Sequence, residues 1–214
     1  MGEAMRLVVF DLDYTIWQPE MYQLYSAPRL TPIDSRSNQA LSAEVLEEAK
    51  TKKEGHVLTG NSYSPMRVFK GAAFALNEIE TMKSLGYDIQ AAVASKTDEP
   101  SWAQICLRHL VINDNGTTLG SCFKEGMVEI SYGSKVNHFE RLHRKTGIKY
   151  EQMVFFDNEY GNIRDVSTLG VKCYYTPDGM MKEDWETAKT AFGIDLTSSS
   201  SSGGTASSCE SDLL

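Results

Sequence analysis

Two aspartates one residue apart, Asp11 and Asp13, close the apolar run in LVVFDLDYT. Carboxylates that close repel each other unless a cation lies between them or one keeps its proton. A hard, oxygen-preferring ion such as Mg²⁺ meets the first need. Such an ion also offsets repulsion between Asp11 and an incoming phosphate and polarises the phosphoryl oxygens. Asp11 can then attack phosphorus and become an aspartyl-phosphate. Asp13, when protonated, can donate to the departing oxygen and afterwards deprotonate the hydrolytic water. Taken alone, the pair reads equally well as an Asx turn at a strand end.

Three later positions could serve the same chemistry. Ser95-Lys96-Thr97 follows a second apolar run. A hydroxyl and main-chain N–H groups at such a turn can hold phosphate oxygens, although the same residues also simply start helices. Lys135, in GSKVNHFERL, opens a helical pattern, where the helix dipole disfavours a cation. Its ammonium either reaches inward to phosphate or a carboxylate, or is solvated at the surface. FFDNE, residues 155–159, places Asp157 and Asn158 after another apolar run. There a carboxylate and an amide oxygen could complete an all-oxygen Mg²⁺ site, or cap a turn.

These residues share one feature, their place after buried strands. Short apolar runs at 7–10, 89–94, 127–130, 153–156 and 171–175 are expected as strands. Between them, apolar residues at helical spacing mark helices at 71–85, 100–110, 134–146, 163–169 and 181–192. Gly86 and Gly147 punctuate two of these, and Asp98 is a candidate cap for another. His138 and His143, on a helix with polar neighbours, are expected at the surface, and Trp102 and Trp185 in packing. Alternation of this kind implies an α/β fold, a Rossmann-like parallel sheet with helices on both faces. Ligands in such sheets bind at the carboxyl ends of the strands, where the polar residues above fall.

Residues 18–67 break the alternation with Pro19, Pro28, Pro32, Pro65 and a charged stretch, 42–54, that could form an exposed helix. An insertion directly after the first strand would overhang the active end of the sheet as a lid or substrate loop. Residues 1–196 are thus expected as one domain, followed by a Ser/Gly-rich tail, 197–214, too poor in large apolar residues to order itself.

The net charge of −8, without a basic stripe, argues against nucleic acid as a partner. Residues 1–6 lack the pattern of a signal peptide, and no apolar run reaches the length of a membrane span. Cys106, Cys122, Cys173 and Cys209 show no metal or disulfide spacing, as in a cytoplasmic protein with structural thiols.

DLDYT, Ser95, Lys135 and the acidic end at Asp157 resemble, in order, the four motifs of the haloacid dehalogenase superfamily. More narrowly, FDLDYTIW, YGSKVNHFERLHRKTG and MVFFDNEYGNIRDVSTLGV look like the eukaryotic magnesium-dependent phosphatase 1 family. The resemblance runs over residues 7–179. It implies a phosphomonoesterase acting on a small phosphorylated metabolite or a phosphoprotein, of phosphotyrosine or sugar-phosphate type, glycated sugars included. By matched position Asp11 would be the nucleophile and Asp13 the acid/base. Leu12, Ser95, Lys96 and Lys135 would surround the phosphate. Mg²⁺ would be held by Asp11, the Asp13 main-chain carbonyl and Asn158.

Two departures stand out. The family usually carries consecutive aspartates where this chain has Asp157-Asn158. An amide oxygen still ligates Mg²⁺, and the related small phosphatases of the RNA polymerase tail carry Asp-Asn here. Asp157 would then orient Lys135 or share the ion. The second departure is 17–67, longer than in the family and without its second Trp. A non-catalytic phosphate-binding or scaffold protein is the competing reading. A response-regulator receiver fits worse, because it places its acidic pair and its phosphorylated Asp on different strands.

Overall fold

The computed structural model describes residues 3–33, 41–60 and 64–196. The expected disordered tail and Cys209 lie outside them. In chain order the elements are β1 (Leu7–Phe10), β2 (Trp17–Gln18), β3 (Arg29–Pro32), α1 (Ala43–Glu48), β4 (His56–Thr59), β5 (Arg67–Val68) and α2 (Lys70–Ser84). They continue as β6 (Gln90–Ser95), α3 (Pro100–His109), β7 (Phe123–Ile130), α4 (Lys135–Thr146), β8 (Met153–Asp157), α5 (Tyr160–Ser167), β9 (Lys172–Tyr175) and α6 (Lys182–Ala191).

Five strands form one parallel sheet in the order β7-β6-β1-β8-β9. Side chains along β1 alternate between its faces, and each face has its own core. Val8 and Phe10 pack with Leu76 and Ile79 of α2, Cys106 of α3 and Trp185 of α6. Leu7 and Val9 pack with Phe139 and Leu142 of α4 and with Ile163 and Val166 of α5. Phe10 and Phe156 stack across neighbouring strands, with ring centroids 5.6 Å apart. Each fully buried phenylalanine contributes about 1.5–3 kcal/mol through removal from water. The chain runs outward from β1 in one direction to β6 and β7, then returns to build β8 and β9 on the other side. The carboxyl end of β1 therefore lies at the topological switch point.

Several expectations shift in detail. β7 begins at Phe123 rather than near 127, because Lys124, Glu125 and Gly126 on this edge strand are exposed and carry no apolar signal. α5 starts at Tyr160, three residues after the end of β8. Asp98 does not cap α3: the N-cap is Glu99, whose own N–H is held by Thr97 Oγ1 at 3.2 Å, and Pro100 opens the helix. Gly147, at φ +66°, ends α4 and donates its N–H to the His143 carbonyl.

The described residues of 18–67 include antiparallel pairs, β2 with β5 and β3 with β4. The expected exposed helix at 42–54 is only Ala43–Glu48, capped by Ser42, with Lys52, Lys53 and Glu54 beyond its end. Leu24, Leu58 and Met66 are buried in the same core as Phe10, so the segment is anchored to the sheet domain. Gly71 permits a further close approach. A Cβ there would lie 2.2 Å from the Met180 carbonyl oxygen, and Met180 N–H in turn holds the Thr15 carbonyl. Among the described residues no helix is long and apolar enough to cross a membrane.

Candidate active site

The exit of β1 is a tight loop. The N–H groups of Thr15, Ile16 and Trp17 all converge on the Leu12 carbonyl at 2.9–3.3 Å. Tyr14 takes a left-handed conformation, φ +54°, to let the chain turn, and its N–H reaches the Trp17 carbonyl. Thr15 Oγ1 accepts the Asn158 N–H at 3.1 Å, which ties this loop to the end of β8. Main-chain geometry thus sets the distance between the two acidic strand ends.

Lys135 lies between those ends. It is the first residue of α4, after a Ser134 cap that accepts from the Asn137 N–H, and it is only 2% exposed. Its ammonium donates to Asp11 Oδ1 and, at 2.5 Å, to the Ala94 carbonyl, with Asp157 Oδ2 at 3.2 Å. The solvated-surface alternative for Lys135 is therefore wrong. Burial works to strip its proton, but Asp11 and Asp157 together outweigh that and hold its pKa above the ordinary value.

Asp157 is fully buried. Its Oδ1 accepts the Glu159 N–H at 2.7 Å, and its Oδ2 accepts from Asn162 Nδ2 at 3.0 Å. Burial first, then Asp11, pushes its pKa up to about 6. Burial also raises Asp11, against the pull of Lys135. Asp13 is pushed up to about 6, again by burial. Its Oδ1 accepts the Trp17 indole N–H at 2.7 Å and its Oδ2 the Met21 N–H at 3.1 Å.

Above this floor opens a cavity of about 460 Å³, lined by Asp11, Asp13, Ser95, Lys96, Lys135 and Asn158. Six of the eight residues singled out in the sequence therefore meet in one space. The other two do not line it. Asp157 sits beneath the floor, and the Leu12 side chain is buried in the core, which leaves only its main chain near the site. Lys96 reaches across to Asn162 Oδ1 at 2.6 Å.

The residues present suit a divalent cation. Asp11, Asp13 and Asp157 set three carboxylates around one buried ammonium, that of Lys135, with Lys96 less buried and turned to Asn162. Among the described residues no group of three or more His, Cys, Asp or Glu side chains could hold a metal. A set of one carboxylate, one main-chain carbonyl and one amide is of a different kind, and oxygen-only ligation of that sort is what Mg²⁺ accepts.

The expected overhang of residues 18–67 supplies Glu20, Met21, Tyr22 and Leu24 to the lining, although sequence reading singled out none of these side chains. Asp98, Glu99 and Trp102 line the cavity as well. Asn162, nearly buried, links Asp157, Glu159 and Lys96. Its place one turn into a helix leaving an acidic strand end was the available signal. His138 is a correction. It is fully buried, its Nε2 lies 3.1 Å from the Ser131 carbonyl, and burial lowers its pKa to about 4. Lys135, His138, Phe139 and Leu142 share the buried face of α4 at helical spacing. His143 is half-buried against the Ile148 carbonyl. Neither histidine lines the cavity.

The sequence pattern of the acid phosphatase family matches residues 3–193. Human magnesium-dependent phosphatase 1 is 32% identical over 181 residues, covering 84% of this chain and 82% of its own. A HAD-like hydrolase superfamily protein from Schizosaccharomyces pombe is 29% identical, covering 79% and 84%. Among solved structures, a haloacid dehalogenase-like hydrolase from Xanthomonas campestris shares the fold with a TM-score of 0.51 at 16% identity, over 89% of this chain and 97% of its own. Fold and relatives define a phosphomonoesterase of the haloacid dehalogenase type. Within that class the chain belongs to the acid phosphatase family and is a relative of magnesium-dependent phosphatase 1.

Proposed function

We propose that this chain hydrolyses phosphomonoesters through an aspartyl-phosphate on Asp11, with Asp13 as acid and base. One observation carries the reading: Asp11 stands at the floor of the cavity with a buried ammonium on one oxygen. Lys135 orients that carboxylate and offsets negative charge arriving on phosphate. In the first half-reaction an Asp11 oxygen bonds to phosphorus, the ester P–O bond breaks, and Asp13 gives its proton to the leaving oxygen. In the second, Asp13 takes a proton from the water that attacks phosphorus, and the Asp11–phosphorus bond breaks. Ser95 and the Leu12 main chain receive phosphoryl oxygens. Lys96 adds positive charge at the rim, and Asp157 keeps Lys135 aimed.

Mg²⁺ would be held by Asp11, the Asp13 carbonyl and Asn158, where it supplies charge neutralisation and polarisation of the phosphoryl group. The magnesium dependence in the name of the human relative supports this. Aryl phosphates of phosphotyrosine type and sugar phosphates are the substrate classes we assign, in a cytoplasmic setting.

The test is hydrolysis of para-nitrophenyl phosphate with Mg²⁺, with EDTA, and by the D11N variant. Turnover should require the metal and fall by at least about 10³-fold in D11N, which loses the covalent step. The variant should still fold cooperatively, since Asp157 remains beside the Lys135 ammonium. Retention of more than about a tenth of the rate would exclude Asp11 as nucleophile. A wild-type chain that binds phosphate without turnover would instead establish the scaffold reading.

A further inference from the structure

The two oxygens of Asp13 are not equivalent. Oδ1 takes the indole N–H of Trp17 at 2.7 Å, while Oδ2 takes the Met21 N–H at 3.1 Å. Indole nitrogen is a donor only, so the direction of the first bond is fixed. The ring itself is held. Trp17 is fully buried, its main-chain N–H reaches the Leu12 carbonyl, its carbonyl accepts the Tyr14 N–H, and it pairs with Val68 across β2 and β5. The indole thus turns Oδ1 towards the buried ring, while Oδ2 is held by Met21, a residue that lines the cavity.

We propose that Trp17 is the positioning residue of the acid step, holding Oδ1 so that Oδ2 is the oxygen that carries and delivers the proton. This rests on Asp13 being the acid/base. Oδ2–H gives its proton to the leaving oxygen as the ester bond breaks, and the freed Oδ2 carboxylate later takes one from water. The Met21 amide belongs to the turn whose Glu20, Met21 and Tyr22 line the mouth. Asp13 is thereby held between the buried indole and the rim.

A buried tryptophan also seeks a partner for its N–H for stability alone, so the test must separate the two roles. Leaving groups do this. An alkoxide must be protonated to depart, whereas 2,4-dinitrophenolate leaves unaided. W17F keeps an apolar ring and removes the N–H. On alkyl phosphates its kcat/KM, which reports only the steps up to the aspartyl-phosphate, should fall about 10- to 100-fold, and on 2,4-dinitrophenyl phosphate it should stay within about threefold. W185F, which removes another buried indole N–H bonded to Glu78, should leave both rates and their ratio unchanged. A uniform loss on both substrates in W17F, or no loss, overturns the proposal.

A second measurement stands if W17F fails to fold. The Trp17 indole resonance of the wild-type chain should lie downfield and move upfield in D13A. An unmoved resonance overturns the proposal as well. Failure of the underlying reading looks different: a wild-type chain whose rates do not depend on Asp13 at all overturns both, whereas Asp13-dependent rates with an unchanged substrate ratio in W17F sink only the role of Trp17.

Discussion

Lys135 and Tyr22 line the same cavity, yet the first is 2% exposed and the second 78%. The floor is made by strand ends. Asp11 and Asp157 are fixed by β1 and β8, which are hydrogen-bonded neighbours, and Lys135 is delivered by the first turn of α4. Lys135 and Asp157 each have several partners, and burial raises the cost of losing any of them. The rim is made by turns after β2 and β6, where Tyr22 and Asp98 are exposed. The proposed reaction thus draws on a buried part and an exposed part. Its chemistry is assigned to the first, and contact with the leaving group would fall to the second.

Removal of Lys135 is the strongest challenge to this contrast. K135A leaves Asp11 and Asp157 buried side by side without their shared cation. Turnover should fall at least about 100-fold. Stability of the metal-free protein should drop by about 3–5 kcal/mol at pH 8, the scale for breaking a buried ion pair. The pH dependence has a definite sign. Both carboxyls already titrate above their ordinary value in the folded protein and would rise further without the ammonium. A group that binds protons more readily when folded loses its penalty as pH falls. Denaturant melts should therefore show a smaller K135A deficit at pH 5 than at pH 8. Equal deficits would mean that the floor is not electrostatically coupled.

Legibility in the sequence follows the same divide. Strand ends were readable because both-sided burial writes continuous apolar runs, and Asp11, Ser95, Asp157 and Asn158 fall at or just past their ends. Lys135 could be suspected from its misplaced charge, but its burial could not, since the carboxylates that keep it charged come from residues 124 and 22 positions away. The rim was readable as a segment, since residues 18–67 were expected to overhang this end, but not residue by residue. Glu20 and Tyr22 look like any polar loop, and only pairing of β2 with β5 brings their turn against Asp13. His138 shows the converse error, where chemical type was weighed above its place on the buried stripe of α4.

Asn158 lies on the boundary, half-buried and facing the cavity with its main chain pinned to Thr15. N158D adds one negative charge where the metal is expected. The half-saturating Mg²⁺ concentration should fall by roughly fivefold, about 1 kcal/mol, for a partly screened charge. Turnover at saturating Mg²⁺ should move much less. A magnesium titration of both proteins on one substrate decides it. Superimposed curves would remove Asn158 from the ligand set and turn attention to Asp157.

The smallest expected effect falls on the rim itself. Tyr22 is mostly in water and belongs to a short turn that Met21, not Tyr22, anchors through its N–H. Y22A should therefore change stability by less than about 0.5 kcal/mol, as exposed substitutions do. On a small substrate such as para-nitrophenyl phosphate its kcat/KM should stay within about twofold of the parent, because all bonds to the phosphoryl group come from the floor. On a bulky phosphopeptide the same substitution should raise KM while kcat holds, the signature of binding shared equally by ground and transition states. Two results would break the contrast. A large loss on the small substrate would show that the rim takes part in the chemistry, with the Met21–Asp13 bond as the route. Equal, negligible changes on both substrates would show that the leaving group is recognised elsewhere, with Trp102, which also lines the cavity, the next position to change.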